Sequence, residues 1–278
     1  MRTALPRPTH PRTPTTMTAQ RPCASPFPAL LLAAGVLLLA ACGSTQRADD
    51  AVIQQSEYHY QLAVGHFNAR EVPIAIRELF QSLELNPENA QAHFLLGFIY
   101  HGRRDYRTAI GHYEEALRLQ PGWHEVRNNL GVIHIEQQDW DAAVELYREL
   151  INVPTYQTPG HAFNNLGWAL YNQGHHHEAR EFFRMAVDYQ PEHCLAWNNL
   201  GLVNEELGDL RTAQRAYEQA IRRCSSYAEP RFRLGVMLFR DGSEVNRAVS
   251  LLRECIDLAA ETRLGDRCEE FLALVPPR

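Results

Sequence analysis

The dipeptide Leu-Gly returns at a near-constant step along this chain. It stands at Leu96-Gly97, Leu130-Gly131, Leu166-Gly167, Leu200-Gly201 and Leu234-Gly235, with intervals of 34, 36, 34 and 34 residues. A fixed period of this size means a stack of similar units, none of which can bury its apolar face alone. Each period has room for two helices of roughly a dozen residues and a short turn, so the expected class is all-α. Small residues keep the same step at Ala75, Ala109, Ala143, Ala179 and Ala213, and again one residue late at Ala248. A second series runs Ser82, Ala116, Leu150, Ala186, Ala220 and Cys255. Such positions let two helix backbones approach closely. Arg104-Asp105, Gln138-Asp139, Gly174-His175 and Gly208-Asp209 lie midway between each Leu-Gly and the next Ala. Gly ends a helix at little cost, and Asp accepts hydrogen bonds from the free amides at a helix start. Proline punctuates the units at Pro87, Pro121 and Pro191, because it does not fit a helix interior.

These marks resemble the tetratricopeptide repeat. Its W-x2-L-G-x2-Y element is met in part: Leu96-Gly97-x2-Tyr100 lacks the Trp, and Trp197-x2-Leu200-Gly201 lacks the Tyr. The later Ala, aromatic and Pro marks fit at Ala109, Tyr113, Ala116 and Pro121, and at Ala179, Phe183, Ala186 and Pro191. The resemblance implies a tetratricopeptide-repeat superhelix of six helix pairs, starting near residues 56, 90, 124, 160, 194 and 228. Unit one carries Leu62-Ala63 where the others have Leu-Gly. The expected organisation is a lipoprotein signal peptide over 1–41, a lipidated cysteine and short tether over 42–55, six repeats over 56–260, and a capping helix and tail over 261–278. Stacked repeats need such a cap to hide the last apolar face. Two registers slip, at Val153–Pro159 between units three and four and at Asp241–Asn246 in unit six. Either these are loop insertions, which a surface accepts cheaply, or they change the superhelix curvature or offer a partner contact through Tyr156.

The front end reads as an address. Residues 29–41 are a 13-residue apolar run preceded by Arg21 and further arginines. The run is too short to span a bilayer as a helix but suits a signal-peptide core. It ends Leu39-Ala40-Ala41-Cys42-Gly43-Ser44, which resembles a bacterial lipobox. The resemblance implies cleavage before Cys42 and acylation of its thiol and new N-terminus. Several acyl chains on one residue give stable anchoring. Gly43 follows the cysteine, with no Asp to suggest retention in the inner membrane. The implied location is the periplasmic face of the outer membrane of a Gram-negative bacterium. The tether from Gly43 to about Asp50, at most ~3.5 Å per residue, would hold the first repeat within ~30 Å of the bilayer.

Removing the four leader arginines from the 27 basic residues leaves 23 against 33 acidic ones, a net charge near −10. That argues against nucleic acid as a partner, which demands a basic face, and against adhesion to anionic lipid. Cys194, Cys224, Cys255 and Cys268 remain in the processed chain. In an oxidising compartment four cysteines allow three pairings. Cys194 opens the first helix of unit five and Cys224 follows its second; antiparallel packing brings those ends together. Cys255 sits at a small core position and Cys268 on the expected cap. The expected bridges are Cys194–Cys224 and Cys255–Cys268, the alternative being buried free thiols, which pack well.

No nucleophile elbow, phosphate loop or zinc-protease pattern is present. The sequence thus points away from an enzyme and calls for no cofactor, no metal and no small-molecule substrate. His175-His176-His177 lies in a turn, where successive side chains diverge. Binding signals are stronger. In a tetratricopeptide array the first helix of each unit lines the concave face. One residue before Leu-Gly stand Asn129, Asn165 and Asn199, a ladder of amides resembling that of peptide-binding relatives. An amide donates and accepts, so it can pair with an extended peptide backbone. Phe94, Phe98, Trp168 and Tyr171 are the expected apolar members of the groove, with Phe67, Phe232 and Phe239 near the same face. Exposed aromatics in a groove suggest a partner surface.

Lipobox, six units and the spacer Asn152–Pro159 leading into Asn164-Asn165-Leu166-Gly167-Trp168 together resemble the pilotins of type IV pili, the PilF/PilW/Tgl group. That resemblance implies a protein partner, the pilus secretin, which is brought to the outer membrane and assembled there through binding in the repeat groove. The alternative is a periplasmic scaffold for cell-wall hydrolases or proteases.

Overall fold

A computed structural model describes residues 50–154, 156, 159–242 and 244–274. The signal peptide, Cys42, residues 42–49 of the tether and the tail at 275–278 lie outside the described residues. Those described form thirteen helices and no strand. Helix α1 covers 50–68. The rest are α2 (Val72–Leu85), α3 (Ala90–Gly102), α4 (Tyr106–Leu119), α5 (His124–Glu136), α6 (Trp140–Ile151) and α7 (Pro159–Asn172), then α8 (His176–Tyr189), α9 (Cys194–Glu206), α10 (Leu210–Arg223), α11 (Glu229–Asp241), α12 (Val245–Leu258) and α13 (Arg263–Ala273). Among the described residues no helix is long and apolar enough to cross a membrane. Helix α1 takes in residues 50–55, assigned above to the tether. Ala51-Val52-Ile53-Gln54-Gln55 contains no Gly or Pro to stop it, and it runs without a break into the buried Ser56.

The helices pair as α1–α2 through α11–α12, and α13 closes the stack. Every member of both small-residue series, from Ala75 to Ala248 and from Ser82 to Cys255, is fully buried. The Leu-Gly step has a packing cause. A Cβ built on Gly97 would come within 2.5 Å of the Tyr113 ring, and one on Gly131 within 2.6 Å of the Tyr147 ring. In units two to five the second helix lays an aromatic ring, sixteen residues on, across the glycine of the first; in unit six Leu252 takes the place of the ring, seventeen residues after Gly235. Unit one obeys the same rule with both partners changed: Ala63 replaces the glycine, and the shorter Leu79 replaces the ring, both fully buried.

The turns within units follow one pattern. A residue with positive φ precedes the start of the second helix: Arg104 at 61°, Gln138 at 60°, Gly174 at 83° and Gly208 at 77°. Asp105, Asp139 and Asp209 then accept the amide N–H of Thr108, Ala142 and Thr212 at 3.1–3.3 Å. These bonds satisfy donors that a helix start leaves open. His175 holds the same place before α8 without a side-chain cap.

Both expected disulfides are formed, Cys194 to Cys224 and Cys255 to Cys268, with Cα atoms 6.2 and 6.3 Å apart. The second ties α12 to the cap helix α13. In the long connection before α7, Tyr156 is half-buried; it packs against the central core and meets the His124 ring edge-on at 5.9 Å.

Candidate protein-binding groove

The first helices of the units, α3, α5, α7, α9 and α11, each touch the next one along, and α11 touches α13. No comparable contact joins two second helices among the described residues. The first helices therefore form the tightly spaced inner row, and their exposed side chains line the inner face.

The asparagine ladder sits in this row and is wired into the protein. Asn129 donates to the Tyr113 hydroxyl at 3.4 Å, and Asn165 to the Tyr147 hydroxyl at 2.9 Å. Tyr147 donates its own O–H to the Asn128 carbonyl at 3.1 Å. Asn199 has no such hydroxyl to meet, because unit four carries Phe183 where units two, three and five carry tyrosine. It donates instead to Asn164 at 3.0 Å, and Asn164 donates to Asn165 at 3.3 Å. The result is one continuous relay from α9 through α7 to α6 and α5. It gives buried polar groups partners, which they need in a low-dielectric interior. Each amide thus spends one hydrogen inside the fold. Asn199 is only 4% exposed and presents almost no surface to a peptide, whereas Asn129 and Asn165 are half-buried and keep a face toward the groove.

The aromatic residues divide. Trp168 stacks on Tyr171 one turn later, with centroids 5.5 Å apart and planes 13° from parallel. Both are half-buried and belong with Asn165 on α7. Burial, then the neighbouring Glu206 carboxylate, hold the Tyr171 phenol above its ordinary pKa, and its hydroxyl donates to Glu206 at 3.4 Å. Phe98 is 46% exposed and meets Phe67 edge-on at 5.9 Å. Phe94 packs on Trp123 at 4.8 Å and on Tyr113 at 6.1 Å, and so serves the joint between units two and three. Phe232 is buried against Phe271 of the cap, and Phe239 packs into the core beside α12. The structure thus gathers Asn165, Trp168 and Tyr171 on one helix and sets Phe67 and Phe98 apart on the first units.

The ladder has a further rung that the asparagine pattern hid. Arg233 stands one residue before Leu234-Gly235, 34 residues after Asn199, so the step alone could have found it. It pairs with Glu229 at 2.9 Å and lies beside a cleft also lined by Glu205 and Arg240. Glu205 accepts the Tyr217 hydroxyl at 3.0 Å. The groove is therefore amide-rich over units three to five, with the Glu206 carboxylate beside Tyr171, and carries charges of both signs at its C-terminal end. Among the described residues no three His, Cys, Asp or Glu side chains gather to hold a metal ion.

Sequence models of the tetratricopeptide repeat match residues 60–122 and 99–162, then 160–193 and 195–227. Together they span more than half of the chain. The chain belongs to the tetratricopeptide-repeat family. The sixth unit falls outside those matches, yet α11 and α12 pack as the other pairs do. No curated protein matches the chain. Its fold is similar to the crystal structure of PilW, a widely conserved type IV pilus biogenesis factor, at 20% identity and a TM-score of 0.68, over 77% of this chain and 97% of that one. It is similar in the same degree to PilF of Pseudomonas aeruginosa, again at 20% identity and a TM-score of 0.68, over 80% of this chain and 99% of that one. YrrB, a tetratricopeptide protein with an unusual peptide-binding site, aligns at 17% identity and a TM-score of 0.51 over 69% of this chain and 97% of its own. As a tetratricopeptide protein, this one is built as a protein-interaction scaffold.

Proposed function

We propose that this tetratricopeptide protein is a lipid-anchored adaptor of the outer membrane that promotes assembly or localisation of the type IV pilus secretin. The observation that carries the reading is extent: this chain aligns with 97–99% of two pilus-associated proteins. The lipobox at Cys42 and the groove residues Asn165, Trp168 and Tyr171 support it. On this reading the acyl chains hold the scaffold at the periplasmic face while the inner row of helices captures a secretin segment. Holding subunits near one another raises their effective concentration, which speeds oligomerisation without chemistry.

A deletion strain should contain monomeric secretin and lack surface pili, and a copy of the gene should restore secretin multimers and pili. Mass spectrometry should find acyl chains on Cys42, and Cys42→Ser should move the protein from the outer-membrane fraction to the soluble one. A pull-down from membranes should recover the secretin with the intact protein and lose it with Asn165→Ala plus Trp168→Ala. Normal secretin multimers in the deletion strain would refute the pilus reading. Recovery of a cell-wall hydrolase or protease in place of the secretin would favour the scaffold instead.

A further inference from the structure

At the C-terminal end of the inner row, α9, α11 and α13 enclose a cleft of about 120 Å³. Its apolar part is Phe232, Val236 and Phe271, the two rings meeting edge-on at 5.5 Å. Its charged part is Arg233, Arg240 and Arg267, opposed by the single carboxylate of Glu205. Arg267 lies 4.2 Å above the Phe232 ring, which holds the guanidinium at the cleft without neutralising it. Arg240 and Arg267 are exposed, and neither has an ion-pair partner among the described residues. Arg231 nearby is bound to Glu254, Arg223 to Glu192, and Arg247 to both Glu218 and Glu244, while Arg211, Arg253 and Arg263 also lack an ion-pair partner among the described residues but do not line the cleft. In a chain with 33 acidic residues, two cations left unpaired beside an aromatic floor form a surface complementary to negative charge.

We infer that this cleft binds an acidic, extended segment of a protein partner, with an apolar side chain against the half-buried Phe271 and carboxylates on Arg240 and Arg267. The free arginines set the ligand. Arg240 stands on α11 and Arg267 on α13, whereas Arg233 already pairs with Glu229. Two cations on separate helices call for two acidic side chains, which an extended chain sets about 7 Å apart when they are two positions apart. Arginine is suited to the task, since its planar fork takes a carboxylate through two parallel hydrogen bonds. The inference rests on the reading of the chain as a protein-binding scaffold but not on the identity of its pilus partner.

The test is fluorescence anisotropy with the full processed chain and a labelled, C-terminally amidated peptide that carries glutamates on both sides of a leucine. The parent should bind it, and binding should weaken as salt rises. Arg240→Gln plus Arg267→Gln should weaken it at least tenfold, about the worth of one charge-assisted hydrogen bond. Arg240→Glu, at an exposed site with no partner to lose, should weaken it by at least as much without unfolding the chain; circular dichroism checks this. Arg107→Gln on α4 should leave binding unchanged. A peptide with glutamine for glutamate should bind at least tenfold more weakly, and one with serine for leucine more weakly than the parent peptide. Equal binding of the glutamate and glutamine peptides, or no effect of Arg240→Glu, would overturn the inference. Failure of the acidic peptide to bind a protein that still recovers its partner from membranes would sink the cleft and leave the scaffold reading standing. Failure of both would sink the scaffold reading too.

Discussion

Replacing Gly131 by alanine tests the packing rule that generates the repeat. The new methyl carbon would lie 2.6 Å from Cζ of Tyr147 and 2.8 Å from its hydroxyl oxygen. Ordinary contact begins near 3.5 Å, so the ring must retreat by about 1 Å. Tyr147 is fully buried, so the ring can move only by displacing its neighbours or filling existing voids. Its hydroxyl also holds the Asn128 carbonyl and the Asn165 amide, and a shift of that size weakens both bonds. Overpacking costs about 1–3 kcal/mol, and each hydrogen bond is worth about 1 kcal/mol. Alanine returns about 1 kcal/mol of helix propensity. The net expectation is a loss of about 2–4 kcal/mol, read from urea unfolding followed by circular dichroism. Unit one supplies the control, because Ala63 there faces Leu79. Tyr147→Leu alone should destabilise by opening a cavity. Combined with Gly131→Ala it should cost less than the sum of the two, with a coupling of about 1–3 kcal/mol. A Gly131→Ala protein within about 0.5 kcal/mol of the parent, or strictly additive single changes, would refute the argument.

Arg104 and Gln138 hold the left-handed backbone that Gly174 and Gly208 hold in later units. Arg104→Gly or Gln138→Gly should therefore stabilise the chain by about 1 kcal/mol, visible as a higher unfolding midpoint, and a loss would contradict this. Burial first, and then the nearby His93, pull His112 down to about 4; burial first, and then His161, pull His193 down to about 4. Both rings stay neutral in the fold while the unfolded chain takes up protons below about 6.5. Stability should be complete above that pH and fall as the pH drops toward 4; His112→Gln with His193→Gln should flatten the thermal-melt profile across that window. The bridges close loops of 30 and 13 residues. By the chain-entropy relation each contributes about 3–4 kcal/mol, so a reductant should lower the unfolding midpoint. Cys255→Ser with Cys268→Ser should also speed hydrogen exchange in α13 more than elsewhere.

The spacing of Leu-Gly, of the buried alanines and of the capping aspartates determined the helix pairs, their order and the closing helix. These are local or nearest-neighbour properties, and a solenoid is little more than their repetition. The same regularity let both disulfides be read, since antiparallel helices bring their ends together at a known place. The start of the first helix was misread because nothing in Ala51–Gln55 packs, so no burial pattern announces a helix there. The asparagine ladder shows most clearly where the sequence ran out. Its period was visible, but the pattern does not record where each amide spends its hydrogen. Whether a ring in the preceding unit carries a hydroxyl decides that: Tyr147 meets Asn165, while Phe183 leaves Asn199 to Asn164. Phe94 and Phe98 lie four residues apart on one helix, yet one is consumed by Trp123 and the other stays in solvent. Arg267 and Phe232 are 35 residues apart in the chain and share one cleft only because α13 folds back onto α11. Periodicity fixes which face a residue occupies; contact between faces of different helices, and the exposure and free charge that remain, exist only once the stack has closed.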